Sequence, residues 1–305
     1  MKILMNFRAF PIAMGRWFEF AFKDAGHQVI VAGPSQGDLV PWGPEYHFPQ
    51  YNFQPDILLP DFEKYPLQNV LDKLTVKPDL IVQAGDSCWL EGKADGIPNV
   101  LIATDPHCVD YHPRLKNIDH FFCMQRHYML ENYADIKNKS WLPYAYYPPI
   151  HKEIPGSVVK FDIVFCGLQY DKRLQYITAA QNKGWRVFNK LGLLYKEYAE
   201  AYNSGIIAFN HSSLLDVPAR FWEGLAMGNL VLTNIVPELQ IIAEKYGIKP
   251  NVHYVPYSSI DEAIQKTDYY LRHPEEATKI QQAGKKAVQG NTYAARVEEI
   301  LWTIR

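Results

Sequence analysis

The sequence predicts an α/β protein made of two Rossmann-like domains, and three observations carry that prediction. Short apolar runs alternate with amphipathic stretches along both halves of the chain, the pattern of strands and helices wound into a parallel sheet. A proline-dense run at 141–151 separates the halves. Polar clusters follow several of the apolar runs, at the strand ends where open α/β sheets place their ligands.

The elements follow in order. Ile3-Leu4-Met5 reads as a strand, the apolar-periodic stretch 16–25 as a helix closed by Gly26, and 29–32 as the second strand, a βαβ opening. Gly15 stands where that helix begins, a position where backbone amides can meet an anion or simply make a tight turn. No G-x-G-x-x-G run occurs there, which disfavours a dinucleotide dehydrogenase. Residues 33–66 are rich in Pro, Gly and aromatics and predict an irregular excursion. A short helix is expected at 67–74, and strands at 79–83 and 99–103; these deliver Asp86 and Asp105 to one edge of the sheet. A strand at 118–123 and a helix at 125–133 complete the first half, and 141–151 reads as a stiff extended linker. The second half predicts strands at 161–166, 185–189, 205–210, 230–233 and 253–255. Its helices are expected from about 173 to 181 and at 195–202, 218–227, 237–246, 260–271 and 274–284. A last helix covers 294–304. The domain boundaries that follow are 1–148 and 149–291, with the helix of 292–305 free to pack back on the first domain.

Composition excludes several classes. At 305 residues the chain is long enough for two cores, and 31 Lys+Arg against 33 Asp+Glu give a net charge of −2, so the total charge calls for no polyanionic partner. Cysteines at 88, 108, 123 and 166 form no C-x-x-C pair and read as reduced thiols of a cytoplasmic protein. With His107 and His112 they match no closed zinc pattern, and no metal is expected. No apolar run is long enough to span a bilayer, and Met1-Lys2 leads into a strand instead of a signal peptide.

The stretch 217–234 is the most informative. Pro218 suits a helix start, Gly228 ends the helix, and Leu230-Val231-Leu232-Thr233 is apolar on both faces as a buried parallel strand should be. Arg220 and Glu223, at i and i+3, could be a surface ion pair worth about a few tenths of a kcal/mol. The run Arg220-Phe221-Trp222-Glu223-Gly224-Leu225-Ala226-Met227-Gly228 also resembles the nucleotide-sugar-binding helix of GT-B glycosyltransferases of the group-1 or CgeB-like (spore-maturation-type) kind. The resemblance implies two Rossmann-like domains facing a cleft, the first on the acceptor side and the second binding the donor. It implies transfer of a sugar from a nucleoside-diphosphate sugar, foremost a UDP-sugar, to an acceptor hydroxyl, without a metal or other cofactor. Glu223 then accepts hydrogen bonds from the ribose. An earlier glutamate that positions the sugar in many relatives is Leu215 here, followed by Asp216.

Such a reaction needs grip on the nucleotide, neutralisation of a leaving diphosphate and, for inversion, a base. Gly167 and Arg173, at the first strand end and helix start of the second half, are the phosphate candidates, with Arg220 as a second cation; a solvated helix position is the alternative for Arg173. Asn210, His211, Ser212 and Ser213 follow a strand end and could meet the diphosphate or sugar, or form an ordinary Ser/Thr loop. Asn189 is the candidate beside the base. Asp105 and His107 are candidate general bases with Asp86 in reserve, although Asp-Pro also opens turns. The acceptor stays open among small molecules, glycans, proteins and a modified DNA base. A non-catalytic nucleotide- or sugar-binding module and a nucleotide-sugar epimerase of the same fold are the competing readings.

Overall fold

The computed structural model describes residues 1–35, 37–38, 47–61, 64–85 and 88–305. Asp86 lies outside them. The chain divides into two compact units, Met1–Pro143 with Tyr293–Arg305, and Tyr144–Thr292.

The first unit contains β1 (Lys2–Asn6), α1 (Met14–Asp24), β2 (Gln28–Gly33), β3 (Ile57–Leu58), β4 (Lys64–Pro66), α2 (Leu67–Leu71), β5 (Leu80–Ala84), β6 (Trp89–Glu91), β7 (Asn99–Ala103), α3 (His112–Leu115), β8 (His120–Cys123), α4 (Arg126–Asn132) and β9 (Lys139–Trp141). Among the described residues, seven strands form one sheet in the order β3-β2-β1-β5-β7-β8-β9, parallel throughout. Every residue of β5 and β7 is buried, as expected of central strands covered on both faces. The region 33–66 is less irregular than its composition suggests, because β3 extends the main sheet and β4 pairs with β6 in a separate ribbon. That ribbon places β6 between β5 and β7 in sequence, although the two are neighbours in the sheet.

The proline-dense run is also not a free linker. Its first residue, Trp141, ends β9, and Leu142 N–H continues the ladder to Cys123 O at 2.9 Å. Residues 142–146 are buried. Proline only forbids donation, so a segment that supplies carbonyls and apolar rings can still be packed inside.

The second unit contains β10 (Phe161–Cys166), α5 (Asp171–Asn182), β11 (Val187–Lys190), α6 (Tyr195–Asn203), β12 (Gly205–Asn210), α7 (Ala219–Ala226), β13 (Leu230–Asn234), α8 (Glu238–Tyr246), β14 (Val255–Tyr257), α9 (Ile260–Arg272) and α10 (Pro274–Val288); α11 (Tyr293–Thr303) returns to the first unit. There the Tyr293 ring meets Phe18 edge-on at 5.3 Å, and Arg296 Nε donates to Pro143 O at 2.9 Å. The second sheet runs β11-β10-β12-β13-β14, again parallel. Its core joins Ile163, Phe165, Tyr176, Ile207, Phe209, Leu230, Leu232, Val255 and Tyr257, with Tyr176 stacked on Phe209 at 3.8 Å between ring centroids. Both units are therefore Rossmann-like parallel sheets of the predicted α/β class.

Most boundaries shift by a few residues from those predicted, and two of the differences have a clear cause. The last strand lies at Val255–Tyr257 instead of 253–255, since β14 is an edge strand whose only ladder is to β13 and Pro256 is tolerated there. Helix α10 runs through Gly284 to Val288. Gly284 does not end it: a Cβ there would lie 2.3 Å from His253 O and 2.8 Å from Leu225 Cδ2, so the glycine permits close packing.

Candidate functional site

Helix α7 sits on β12 and β13 with no spare room, because a Cβ on Gly224 would come within 3.0 Å of Val231 Cγ2 and 3.2 Å of Ala208 Cβ. That seam buries Phe221, Trp222, Glu223, Leu225 and Ala226 together. Glu223 is thus an interior residue, and the surface-pair reading of Arg220 with Glu223 is wrong. Among the described residues the Glu223 carboxylate instead accepts from the Tyr198 hydroxyl at Oε2 (2.6 Å) and faces His151 Nε2 from Oε1 (3.6 Å). Burial and the neighbouring carboxylate hold the Tyr198 hydroxyl well above its usual range. Burial pushes His151 down, with the Glu223 charge opposing.

At the C-terminal ends of β10 and β12 two guanidiniums share one ring. Arg220 lies 5.1 Å and Arg173 5.8 Å from the Phe165 centroid, and Arg173 also stacks on Tyr170 at 4.5 Å. Arg173 is buried, not a solvated helix residue; its Nε donates to His211 O at 2.9 Å and its Nη1 to Leu168 O at 3.2 Å. Arg220 Nη1 reaches Cys166 O at 3.5 Å, while its buried Nε has no partner among the described residues. Neither arginine makes an ion pair there. Burial, then the charge of Arg220, lowers Arg173 to about 10, which still leaves it cationic at neutral pH. Gly167 sits directly beneath this pair, at φ +156°, where a Cβ would lie 2.7 Å from Arg220 Nη1.

The surrounding loops are tied by polar side chains. Asn210 Nδ2 donates to Thr233 Oγ1 at 2.9 Å, and its buried Oδ1 has no partner among the described residues. Asn234 brackets Ser212, accepting from its N–H (2.7 Å) and donating to its carbonyl (2.9 Å). The Ser212 hydroxyl is turned inward to Asp216 at 2.5 Å. Leu215, in the same loop, has φ +58° and is exposed, an uncommon conformation for a bulky side chain. Asn189 lies beside Phe165 in the β10–β11 register, and its buried Oδ1 has no partner among the described residues. Tyr257 donates to Asn210 O at 2.9 Å, so its contact with His211 Nδ1, also 2.9 Å, is one in which the imidazole donates. Burial, then Arg173 and Lys172, pushes His211 down to about 4.

The structure therefore gathers Gly167, Arg173, Asn189, Asn210, Ser212, Arg220 and Glu223 into the second unit. Gly15, by contrast, lies in the first unit with the Phe7 ring packed over it. So do Asp105 and His107. Asp105 accepts from Thr104 Oγ1 at 2.9 Å and its carbonyl closes the following turn onto Cys108 and Val109. His107 Nδ1 lies 3.3 Å from Gln125 Oε1, an acceptor, so that nitrogen carries the hydrogen and Nε2 the lone pair. No group of metal-ligating residues occurs among the described residues, and none of the described helices is long and apolar enough to cross a membrane. His151, Tyr198 and Tyr257 are additions that spacing did not reveal. The one local signal was His151, which closes the proline-dense run.

Residues 151–302 match the sequence profile of the glycosyl transferase-like family. No curated protein sequence matches the chain. Several solved structures share its fold. A sucrose-phosphate synthase from Thermosynechococcus elongatus superposes with a TM-score of 0.67 at 12% identity, covering 100% of this chain and 98% of that one. HepE of Anabaena, in complex with UDP-glucose, gives 0.69 at 10% identity over 99% and 100%. An alpha-glucosyltransferase in complex with UDP and a 13-mer DNA containing an HMU base gives 0.67 at 10% over 100% and 99%. Over residues 151–302 the chain is thus similar to the glycosyl transferase-like family, and its fold is that of the GT-B glycosyltransferases.

Proposed function

We propose that the chain is a metal-independent, hexosyltransferase-type glycosyltransferase that uses a nucleoside-diphosphate sugar, with UDP as the first nucleotide to test. The observation that carries this reading is the pair Arg173 and Arg220: two cations held against one aromatic ring, at adjacent strand ends, with no carboxylate paired to either among the described residues. Two like charges held side by side and partly desolvated call for an anionic partner. A diphosphate supplies one and gains charge as it leaves, so the pair stabilises the transition state more than the ground state. Among the described residues helix α7 begins without a side-chain cap; the Phe221 amide closes back on Pro218 O, and those of Ala219 and Arg220 are left for the same anion. The first turn of α5 already carries Asp171, so that helix end contributes less.

In this reading Glu223 takes the ribose hydroxyls, Asn189 and Asn210 present unpartnered carbonyl oxygens to the donor, and the second unit is the donor domain. The first unit meets the acceptor, with Asp105 and His107 as the candidate bases. Neighbours of this fold in complex with UDP-glucose or UDP support the choice of nucleotide, and the run from Arg220 to Gly228 supports a CgeB-like affiliation. Because one neighbour is in complex with DNA containing an HMU base, duplex DNA carrying a hydroxymethylated base belongs in the acceptor panel. Isothermal titration with UDP, GDP and ADP tests the donor site. Binding of one of them, abolished in Arg220→Ala and weakened in Glu223→Ala, is the expected result. Binding of none overturns the reading. Slow release of free sugar from the donor without acceptor separates a transferase from a binding module, and conversion to a second nucleotide sugar would identify an epimerase.

A further inference from the structure

His151 stands where the chain enters the second unit, and only 2% of it is exposed. Its Nδ1 accepts the Tyr147 amide hydrogen at 3.0 Å. A backbone N–H can only donate, so Nδ1 carries no proton and the neutral ring holds its hydrogen on Nε2. That N–H faces Glu223 Oε1 at 3.6 Å, while the Tyr198 hydroxyl donates to Oε2 at 2.6 Å. The two rings meet edge-on, with centroids 5.8 Å apart and planes at 74°, which fixes them relative to each other. The Glu223 carboxylate thus has a neutral donor directed at each of its oxygens.

A carboxylate offers about four lone-pair positions, two on each oxygen. The Tyr198 hydrogen bond takes one on Oε2 and the His151 ring stands beside Oε1, which leaves at least one on each oxygen for a further donor. We propose that His151 and Tyr198 are positioning residues that fix the plane of the Glu223 carboxylate so that its two free lone pairs receive the 2′- and 3′-hydroxyls of the donor ribose. The assignment rests on the reading of Glu223 as the ribose contact. Without these donors the carboxylate could rotate, and a second hydroxyl would then add little.

The experiment is titration of UDP and of 2′,3′-dideoxy-UDP into wild-type protein and into His151→Ala, His151→Gln and Tyr198→Phe, repeated with the GDP and ADP pairs. Wild type is expected to prefer the ribonucleotide by about tenfold or more, the size of a lost hydrogen bond to a charged group. His151→Ala and Tyr198→Phe bring that ratio towards one while leaving dideoxynucleotide affinity unchanged. His151→Gln, whose amide can replace the imidazole N–H, retains the preference. A purely structural role would weaken both ligands equally, and that result, or full discrimination in both disrupted variants, overturns the proposal. Should His151→Ala not fold, Tyr198→Phe removes a single oxygen and gives the same readout. Equal binding of both nucleotides by wild type overturns the role of Glu223 in ribose binding, and binding of neither overturns the donor site as a whole.

Discussion

Arg220 carries the sharpest expectation at the scale of single residues. Its guanidinium lies against Gly167 and Phe165, so the added methyl of Gly167→Ala meets the end of a flexible side chain and displaces it. Nucleotide affinity is expected to fall about tenfold, together with some loss of stability because Gly167 sits at φ +156°, where a side chain is strained; unchanged affinity would show that Arg220 does not hold the phosphates. Arg220→Lys should behave more like a loss than a conservative change, since an ammonium lacks the planar fork that stacks on Phe165. The charge on His211 makes a second prediction. Its folded pKa, about 4, lies below the unfolded value of 6.5, so the unfolded chain binds the proton first as pH falls. The stability linked to His211 is complete above pH 6.5 and is lost as the pH drops towards 4, with buried His151 shifted in the same direction. His211→Gln should flatten that part of a thermal-melt profile, and an unaltered slope would refute the assignment. Of these residues, Arg220 and Glu223 stood out in the sequence through the resemblance of the run 220–228, whereas their spacing alone suggested a surface pair. His151 and Tyr198 were not, because their meaning depends on a carboxylate that is far away in sequence.

Among the elements, the α7 seam shows how small residues decide geometry. Gly224 and Gly284 let α7 approach the sheet and α10 approach the His253 carbonyl. Ala is the better helix former by about 1 kcal/mol, yet Gly284→Ala must push a backbone oxygen aside. The clash is therefore expected to win, lowering unfolding free energy by about 1–3 kcal/mol in denaturant titration. A neutral or stabilising result would mean that α10 shifts freely. Element existence was readable from apolar runs, as the match of 161–166 and 205–210 to β10 and β12 shows. The register of β14 and the packed course of 142–146 were not readable. Edge position and carbonyl pairing leave no periodicity in the sequence.

At the level of the whole molecule, each unit carries its own parallel sheet and buried apolar cluster. A ligand that binds only the folded second unit stabilises it by mass action, about 2.7 kcal/mol at a hundredfold excess over Kd. Differential scanning should therefore show a rise of several degrees with the nucleotide that binds, absent in Arg173→Ala with Arg220→Ala. A rise that survives in the double variant would place the nucleotide elsewhere. By itself the sequence determined the α/β class, the two-part organisation and the run from Arg220 to Gly228, because alternation, breaks and helical spacing are local properties of a chain. Only the tertiary structure decided that Glu223 is buried between His151 and Tyr198, that Arg173 and Arg220 share Phe165, and that α11 returns to the first unit. Those are contacts between distant segments, and packing and desolvation act on what is near in space.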